Sequence, residues 1–535
     1  MAGRGPRAKK RTKSQRHRKH RADCCTTGVG QQIGHCKVVL TDDAGRGCIA
    51  SKDFGAGEIV FEDTPYVVVV RRQFALRACA RCLEWLPSDK HTSSEQACLH
   101  SVAQEAALRF KGEATETLAR LLCDGFRYCA GCLQHPESET RCRFLTMFCI
   151  ILGIRHGLVL NSSTNDDKYT GIISLDEALL LALAQYCSQP NNEQIDTLQT
   201  HQEGVDKALL DVLKATQCDF ARVFSLKENK SVVRFVLQMN VNAHGMMPRA
   251  PLDAENYDMP RNVDVAVGLF PFVPLLNHSC APNAVFQNTG GRKMQVRTVR
   301  HVSTGTPVCV SYIDTARRKR TRQKDLKQTK FFNCHCERCR LSFSHADLSF
   351  VPPKKSFNET SSDTVRACLR SADACLSSVR CPHCSASMLP PSPQRKPVCP
   401  TCRKKIDTKK ILSDITLAEQ LVDQGERYYA MRQLQASIDT FEAVMARTCL
   451  DPLHELSIAA SARLVNLYAA ADRKTDELRA ALHLMHALRR VHAPCASAEV
   501  ALFAEHALSL LDKVSADDPV RAECEAVRAE WETRN

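Results

Sequence analysis

From Cys36 to Val70 the apolar positions fall in short, β-branched runs: Val38-Val39-Leu40, then Gly45-Arg46-Gly47-Cys48-Ile49-Ala50, Gly57 to Phe61, and Tyr66-Val67-Val68-Val69-Val70. Glycines separate the runs, and the pattern predicts strands. Over residues 143–238 the period changes. Apolar residues recur at helical spacing between acidic and polar interruptions, as in Asp176 to Ala184 and Val205 to Leu213, which predicts helices. Val308-Cys309-Val310-Ser311-Tyr312-Ile313 alternates again and reads as a strand. Ser342 to Ser378 is polar, is interrupted by Pro352-Pro353, and reads as a linker. From Ile411 onward Ala and Leu repeat on helical faces, as in Thr416 to Val422 and Ala480 to Leu488; paired helices of a degenerate TPR-like solenoid and a plain bundle both fit.

At 535 residues the chain is too long for one core, and three or four domains are expected. Its 28 cysteines include several Cys-x-x-Cys pairs, and no apolar h-region opens the sequence. Both features favour metal thiolates in a reducing compartment over disulfides. The longest apolar run, Phe144 to Ile154, is well short of the ~20 residues that cross a bilayer, so no membrane span is expected. The net charge of +14 is unevenly placed. Residues 1–22 hold ten Lys/Arg and no acid, leaving 63 basic against 59 acidic residues elsewhere. Such an arm cannot bury a core; its readings are a nuclear address, weak nucleic-acid contact through phosphate neutralisation, or a solvated tail.

The cysteines carry the chemistry. Cys334-x-Cys336-x-x-Cys339 supplies three thiolates, one short of a closed tetrahedral zinc site, and Cys280, just after Asn277-His278-Ser279, is the candidate fourth. Cys381-Pro-His-Cys384 and Cys399-Pro-Thr-Cys402 have the spacing of a zinc ribbon, whose surface Arg395, Lys396, Arg403, Lys404 and Lys405 make basic. Cys79-x-x-Cys82 and Cys129-x-x-Cys132 are two further knuckles, with Cys98, His100, Cys123, His135 and Cys142 scattered about them. One zinc on Cys79, Cys82, Cys129 and Cys132, two zincs, or buried or free thiols all remain open there.

Asn277-His278-Ser279-Cys280-Ala281-Pro282-Asn283, a strand ending in Tyr312, and then Cys334-x-Cys336-x-x-Cys339 resemble the SET domain of lysine methyltransferases in order, spacing and residue type. Gly268-Leu-Phe-Pro, the upstream cysteine pairs and the helical tail resemble its SET-and-MYND (SMYD) branch. The resemblance implies an α+β, zinc-containing fold. A basic arm (1–35) would precede the N-terminal part of the SET domain (36–78), a degenerate MYND-like zinc region (79–142) and a helical insertion (143–238). The C-terminal SET part (239–318), a post-SET zinc segment (319–345), a linker with the zinc ribbon (346–410) and a TPR-like helical domain (411–535) would follow.

The activity implied is methyl transfer from S-adenosylmethionine to a protein lysine, by a nuclear or cytoplasmic and monomeric protein that also holds Zn2+. Tyr312 would aim its hydroxyl at the reaction centre. Asn277 and His278 would hold the donor through backbone and side-chain hydrogen bonds, Asn242 its amino-acid portion, and Phe332 its adenine. Arg46 would sit at the donor-contacting turn opened by Gly45-x-Gly47, a weak signal alone. Pro282-Asn283 reads as a structural turn.

A lysine amine, with a solution pKa near ~10.4, must lose its proton before attack, which an apolar channel favours. Two residues depart from the family pattern. His244 stands where an aromatic channel wall is usual, and Lys330 where a tyrosine is common, unless a shift of one residue puts Phe331 there. An ordinary histidine at 244 would become cationic below pH ~7 and repel the incoming lysine. Two other classes fit parts of the pattern: a SET scaffold that binds partners through its zinc and helical domains without methylating, and a zinc-dependent nucleic-acid binder.

Overall fold

The computed structural model describes residues 28–41, 45–71, 77–86, 129–133, 192–205, 231–247, 264–288, 291–352, 361–390, 398–493 and 498–532, with isolated residues between 74 and 217. The basic arm, Cys98, His100, Cys123, His135, Cys142 and the run Phe144 to Ile154 lie outside the described residues, as do most of the predicted helices of 143–238.

The β-branched runs form β1 (Gln32–Ile33), β2 (Cys36–Thr41), β3 (Gly45–Ala50), β4 (Ile59–Asp63) and β5 (Val67–Val70). Helix α1 (Val232–Asn242), capped by the Ser231 hydroxyl accepting from the Arg234 N–H, runs directly into β6 (Ala243–Met246). Strands β7 (Ala266–Leu269), β8 (Asn277–His278), β9 (Ala284–Asn288), β10 (Met294–Thr298) and β11 (Pro307–Val310) follow.

These strands make three small sheets, ordered β1-β2-β3-β11-β8, β4-β10-β9 and β5-β7-β6. Each combines strands from before and after the long central segment. Antiparallel β3 and β11 pair Cys48 with Val308, and β11 lies parallel to β8, pairing Cys309 with Asn277 and Val310 with His278. The Asn277-His278 pair is therefore held by a strand some thirty residues further on. All four valines of β5 are buried, which accounts for an unbroken apolar run where a half-exposed strand would alternate. One core joins the sheets to α1, where Phe235 stacks on Tyr186 with ring centroids 4.3 Å apart.

Helix α2 (Lys319–Thr329) leads to the cysteine triplet. The polar stretch 342–378 differs from a linker: its second half is α3 (Ser362–Leu376), which buries Cys368, Leu369, Ala372, Asp373 and Leu376. A hydrophilic helix is hard to tell from a linker when its buried face includes an acid and small residues. Strands β12 (Val379–Arg380) and β13 (Ser387–Met388) belong to the ribbon.

Beyond them α4 (Thr408–Ala430), α5 (Leu434–Met445), α6 (Glu455–Ala470), α7 (Lys474–His492), α8 (Ala498–Leu510) and α9 (Pro519–Glu532) stack in succession. Leu484, Met485 and Leu488 of α7 share a core with Ala372 and Leu376 of α3 and with Ala316. Arg318 extends this attachment by pairing with Glu455 of α6 and, at 2.8 Å, Glu419 of α4. No helix among the described residues is long and apolar enough to cross a membrane.

Candidate functional site

The Asn277-His278 pair is fixed from both ends. Ahead of it the Asp63 carboxylate accepts the N–H groups of Phe272 and Val273 at 2.8 and 2.9 Å, setting the entry of Val273-Pro274-Leu275. Burial pushes the Asp63 carboxyl up to about 6, against the opposing effect of those N–H donors. Behind it Asn283 donates to the Pro307 carbonyl and accepts from the Cys309 N–H, both at 2.8 Å. Asn283 thus ties the turn to β11.

His278 has both ring nitrogens engaged within the chain. Nδ1 accepts the Tyr312 N–H at 3.0 Å, and Nε2 lies 3.3 Å from the Cys280 sulfur. With Nδ1 an acceptor, the neutral ring carries its proton on Nε2 and donates to that sulfur. Burial pushes His278 down to about 4. The imidazole therefore positions Tyr312 and Cys280, and only the His278 backbone is left to face a ligand. The Asn277 carboxamide, by contrast, has no hydrogen-bond partner among the described residues. A Cβ on Gly47 of β3 would stand 2.5 Å from its Nδ2, so glycine leaves the room in which this amide lies.

Tyr312 lies two residues beyond β11, and its hydroxyl donates to the Leu276 carbonyl at 2.6 Å. Burial, with the nearby Cys309 and Cys48 thiols, holds the phenol well above its usual range. It stays protonated and can act as a donor and dipole, not as a base. Phe332 packs edge-on to Tyr312, 6.5 Å between centroids, and 6.0 Å from the His278 ring.

Arg46 and Asn242 are occupied more than the sequence suggested. Arg46 is paired with Leu40 inside the β2–β3 ladder, and its guanidinium donates to the Thr197 hydroxyl and carbonyl at 3.0 and 2.7 Å. Asn242 donates to the Gln199 and Gln238 carbonyls at 2.8 and 3.0 Å. Both residues join the strands to the segment 192–205. That segment also brings His201 to the site, tilted against Phe331 with centroids 5.5 Å apart. Sequence reading missed it; its one signal was the Asn192 cap before Glu193-Gln194-Ile195, whose carboxamide accepts from Gln194 and Ile195.

His244 of β6 is half-buried, edge-on to Phe286 at 4.9 Å and to Phe270 at 5.9 Å, and its buried Nδ1 has no hydrogen-bond partner among the described residues. Burial, then the charge of Lys330, pushes it down to about 4. This differs from the expectation that an ordinary histidine there turns cationic just below neutrality. Lys330 and Phe331 are also resolved in register. Phe331 has a left-handed backbone, φ +63°, and turns toward His201, while the Lys330 ammonium donates to the Val241 carbonyl at 2.7 Å and stands 5.7 Å from the Tyr312 ring centroid.

Three cysteine quartets are assembled: Cys280, Cys334, Cys336 and Cys339; Cys79, Cys82, Cys129 and Cys132; and Cys381, Cys384, Cys399 and Cys402. In each, the four sulfurs lie within 4.8 Å of one another. Tetrahedral Zn–S bonds of about 2.3 Å place sulfurs ~3.8 Å apart. The separations Cys280–Cys339 3.6 Å, Cys82–Cys129 3.6 Å, Cys381–Cys402 3.8 Å and Cys384–Cys399 3.7 Å fit that edge.

The thiols beside Cys336 pull it far down and push Cys280 far up, because four clustered sulfurs cannot all ionise without a cation. The chemistry of these donor sets therefore fits Zn2+. The first quartet is tied to α3 by a buried triad. Arg338 donates to the Cys280 and Thr315 carbonyls, both at 3.1 Å, and Arg338 and Arg322 each reach Asp373 at 2.7 Å.

The SET domain family model matches residues 45–313, half of the chain. Histone-lysine N-methyltransferase ASHR1 of Arabidopsis thaliana is 25% identical over 410 residues, covering 75% of this chain and 70% of the plant protein. SET domain-containing protein SmydA-8, isoform A, of Drosophila melanogaster is 24% identical over 303 residues, covering 55% of this chain and 54% of the fly protein. Histone-lysine N-methyltransferase SMYD3 of Homo sapiens is 37% identical over 87 residues, 16% of this chain and 20% of the human protein. The alignments thus span about half of the fly relative and a fifth of the human one.

Proposed function

The chain belongs to the SET-domain family, in its SMYD-like branch, and from that premise we propose that it is an S-adenosylmethionine-dependent protein-lysine methyltransferase acting on a histone or another protein. The observation that carries this reading is the frame around Tyr312. Its N–H is fixed by His278 and its hydroxyl by the Leu276 carbonyl, beside an Asn277 amide that packs against Gly47 and has no hydrogen-bond partner among the described residues.

That amide, held against Gly47, fits a polar ligand such as the donor, which when bound supplies a sulfonium methyl for in-line transfer to nitrogen. The Asn277 side chain and His278 backbone would hold it, with Phe332 against its adenine; Asn242 and Arg46 shape the wall through segment 192–205. The Tyr312 hydroxyl, protonated at neutral pH, would orient the acceptor amine. His244 and Lys330 would line the acceptor side, with Phe331 turned toward His201 beside them. Enclosure by Phe270, Phe286 and the sheets would exclude water and favour the neutral amine.

The substrate would be a nuclear or cytoplasmic protein, and the basic arm would supply a nuclear address or weak nucleic-acid contact. Donor titration by calorimetry, with methyl transfer to core histones and to a cell extract, tests the reading. Binding followed by labelled protein is the expected result; a chain that binds no donor is a scaffold.

A further inference from the structure

Among the described residues the ammonium beside Tyr312 has no counter-ion. Lys330 closes α2, and its Nζ reaches the Val241 carbonyl at the end of α1. No carboxylate among the described residues lies within ion-pair distance of it. The titratable groups set around it are His244 of β6, His201 of the inserted segment, and Tyr312 after β11. Glu203 acts on His201. The charge of Lys330, by contrast, is felt by both histidines and helps to keep each of them neutral.

We propose that Lys330 is a charge-positioning residue of the acceptor channel, whose ammonium lowers the basicity of an incoming lysine amine and so delivers it unprotonated beside Tyr312. The inference rests on the methyltransferase reading. Burial lowers the basicity of Lys330 as well, while the Val241 carbonyl to which its Nζ donates favours the charged form; an amine brought next to that charge in a desolvated pocket is driven toward its neutral form. The proton lost from the acceptor ammonium goes to solvent before enclosure. The neutral nitrogen then forms the N–C bond as the sulfur–methyl bond breaks, leaving the donor as its thioether. A residue that departs from the tyrosine common in the family would thus do by charge what an apolar channel does by desolvation. Lys330 stands 5.7 Å from the Tyr312 ring centroid, and a lysine already paired with an acid could not serve this way.

The test compares wild type with Lys330→Met, which keeps the stem and removes the charge, and Lys330→Arg, which keeps a charge that cannot titrate. Methyl transfer from labelled S-adenosylmethionine to core histones is followed across the acid limb of the pH–rate profile. In parallel, proton release on binding a lysine-bearing histone-tail peptide, with S-adenosylhomocysteine present, is read by calorimetry in two buffers of different ionisation enthalpy.

Lys330→Met is expected to move the acid limb up by about 1 pH unit and to release fewer protons, while Lys330→Arg keeps the limb in place whatever its rate. An unmoved limb and unchanged proton release in Lys330→Met would overturn the proposal. A Lys330→Arg variant behaving like Lys330→Met would also overturn it, showing that the amine acts as a base. A wild type that neither binds donor nor labels protein would instead sink the methyltransferase reading, an outcome distinct from transfer with an unmoved limb. Thermal unfolding of each variant separates these results from misfolding.

Discussion

The backbone N–H of Tyr312 donates to Nδ1 of His278 at 3.0 Å, and Nε2 of the same ring meets the Cys280 sulfur at 3.3 Å. One imidazole thus links the tyrosine of the site to a cysteine quartet. Zinc at that quartet would hold Cys280, Cys280 would orient His278, and His278 would place the backbone of Tyr312.

This linkage predicts metal dependence without metal chemistry at the acceptor. Metal analysis of the purified chain should find zinc at the three cysteine quartets. Stripping it with a strong chelator should lower donor affinity as well as thermal stability, since structural zinc is folding energy. One zinc or none per chain would contradict this.

The packing of Asn277 against Gly47 makes a sharper prediction. Gly47→Ala places a methyl group 2.5 Å from where Asn277 Nδ2 now lies and must displace that amide. Crowding of this kind costs about 1–3 kcal/mol, so donor affinity should fall by about tenfold or more, with the fold retained. Unchanged affinity would remove Asn277 from the donor pocket.

Asp373 balances Arg322 and Arg338, all three buried. Asp373→Asn leaves two enclosed guanidinium groups without their anion, and breaking a buried pair in this way costs roughly 3–5 kcal/mol. Denaturant unfolding should show the loss, and Cys280 should become easier to alkylate because Arg338 no longer steadies its carbonyl. A variant as stable as wild type would mean that the triad is dispensable.

Acid should destabilise the chain through its desolvated histidines. Burial pushes His454 to about 3, with Arg318 adding to it, and His244 to about 4. Their folded values lie below the ~6.5 of an unfolded histidine, so the unfolded state binds more protons as pH falls. Stability is therefore complete above pH ~6.5 and declines from there toward pH ~4. His454→Asn should flatten this decline in the melting temperature while keeping a group that can cap the Leu456 N–H. A decline equally steep in the variant would assign it to other groups.

What could be read from the sequence was local. Three thiolates within six residues need a fourth, and Asn277-His278 just ahead of Cys280 shows where the chain turns, so the quartet and the pair beside it were legible. Which side chain faces Tyr312 was not, because the positive φ of Phe331 rotates that residue away and leaves Lys330 over the ring. No periodicity encodes one left-handed residue. Nor could burial be read: His244 stands alone in its strand as a polar residue, and only Phe270 and Phe286 around it show that it stays neutral. Helix α3 looked like a linker because its inward face carries Asp373 and Ser371, whose partners come from other elements.

The most direct test of the account joins donor binding to transfer in Tyr312→Phe. The substitution removes one hydroxyl that donates to Leu276 and keeps the ring. Calorimetry should find S-adenosylmethionine bound nearly as by wild type, while label transferred to protein falls by about 10²-fold or more, as when one oriented polar group acting in the transition state is removed. Transfer at the wild-type rate would make Tyr312 a core residue of the sheet and contradict the account.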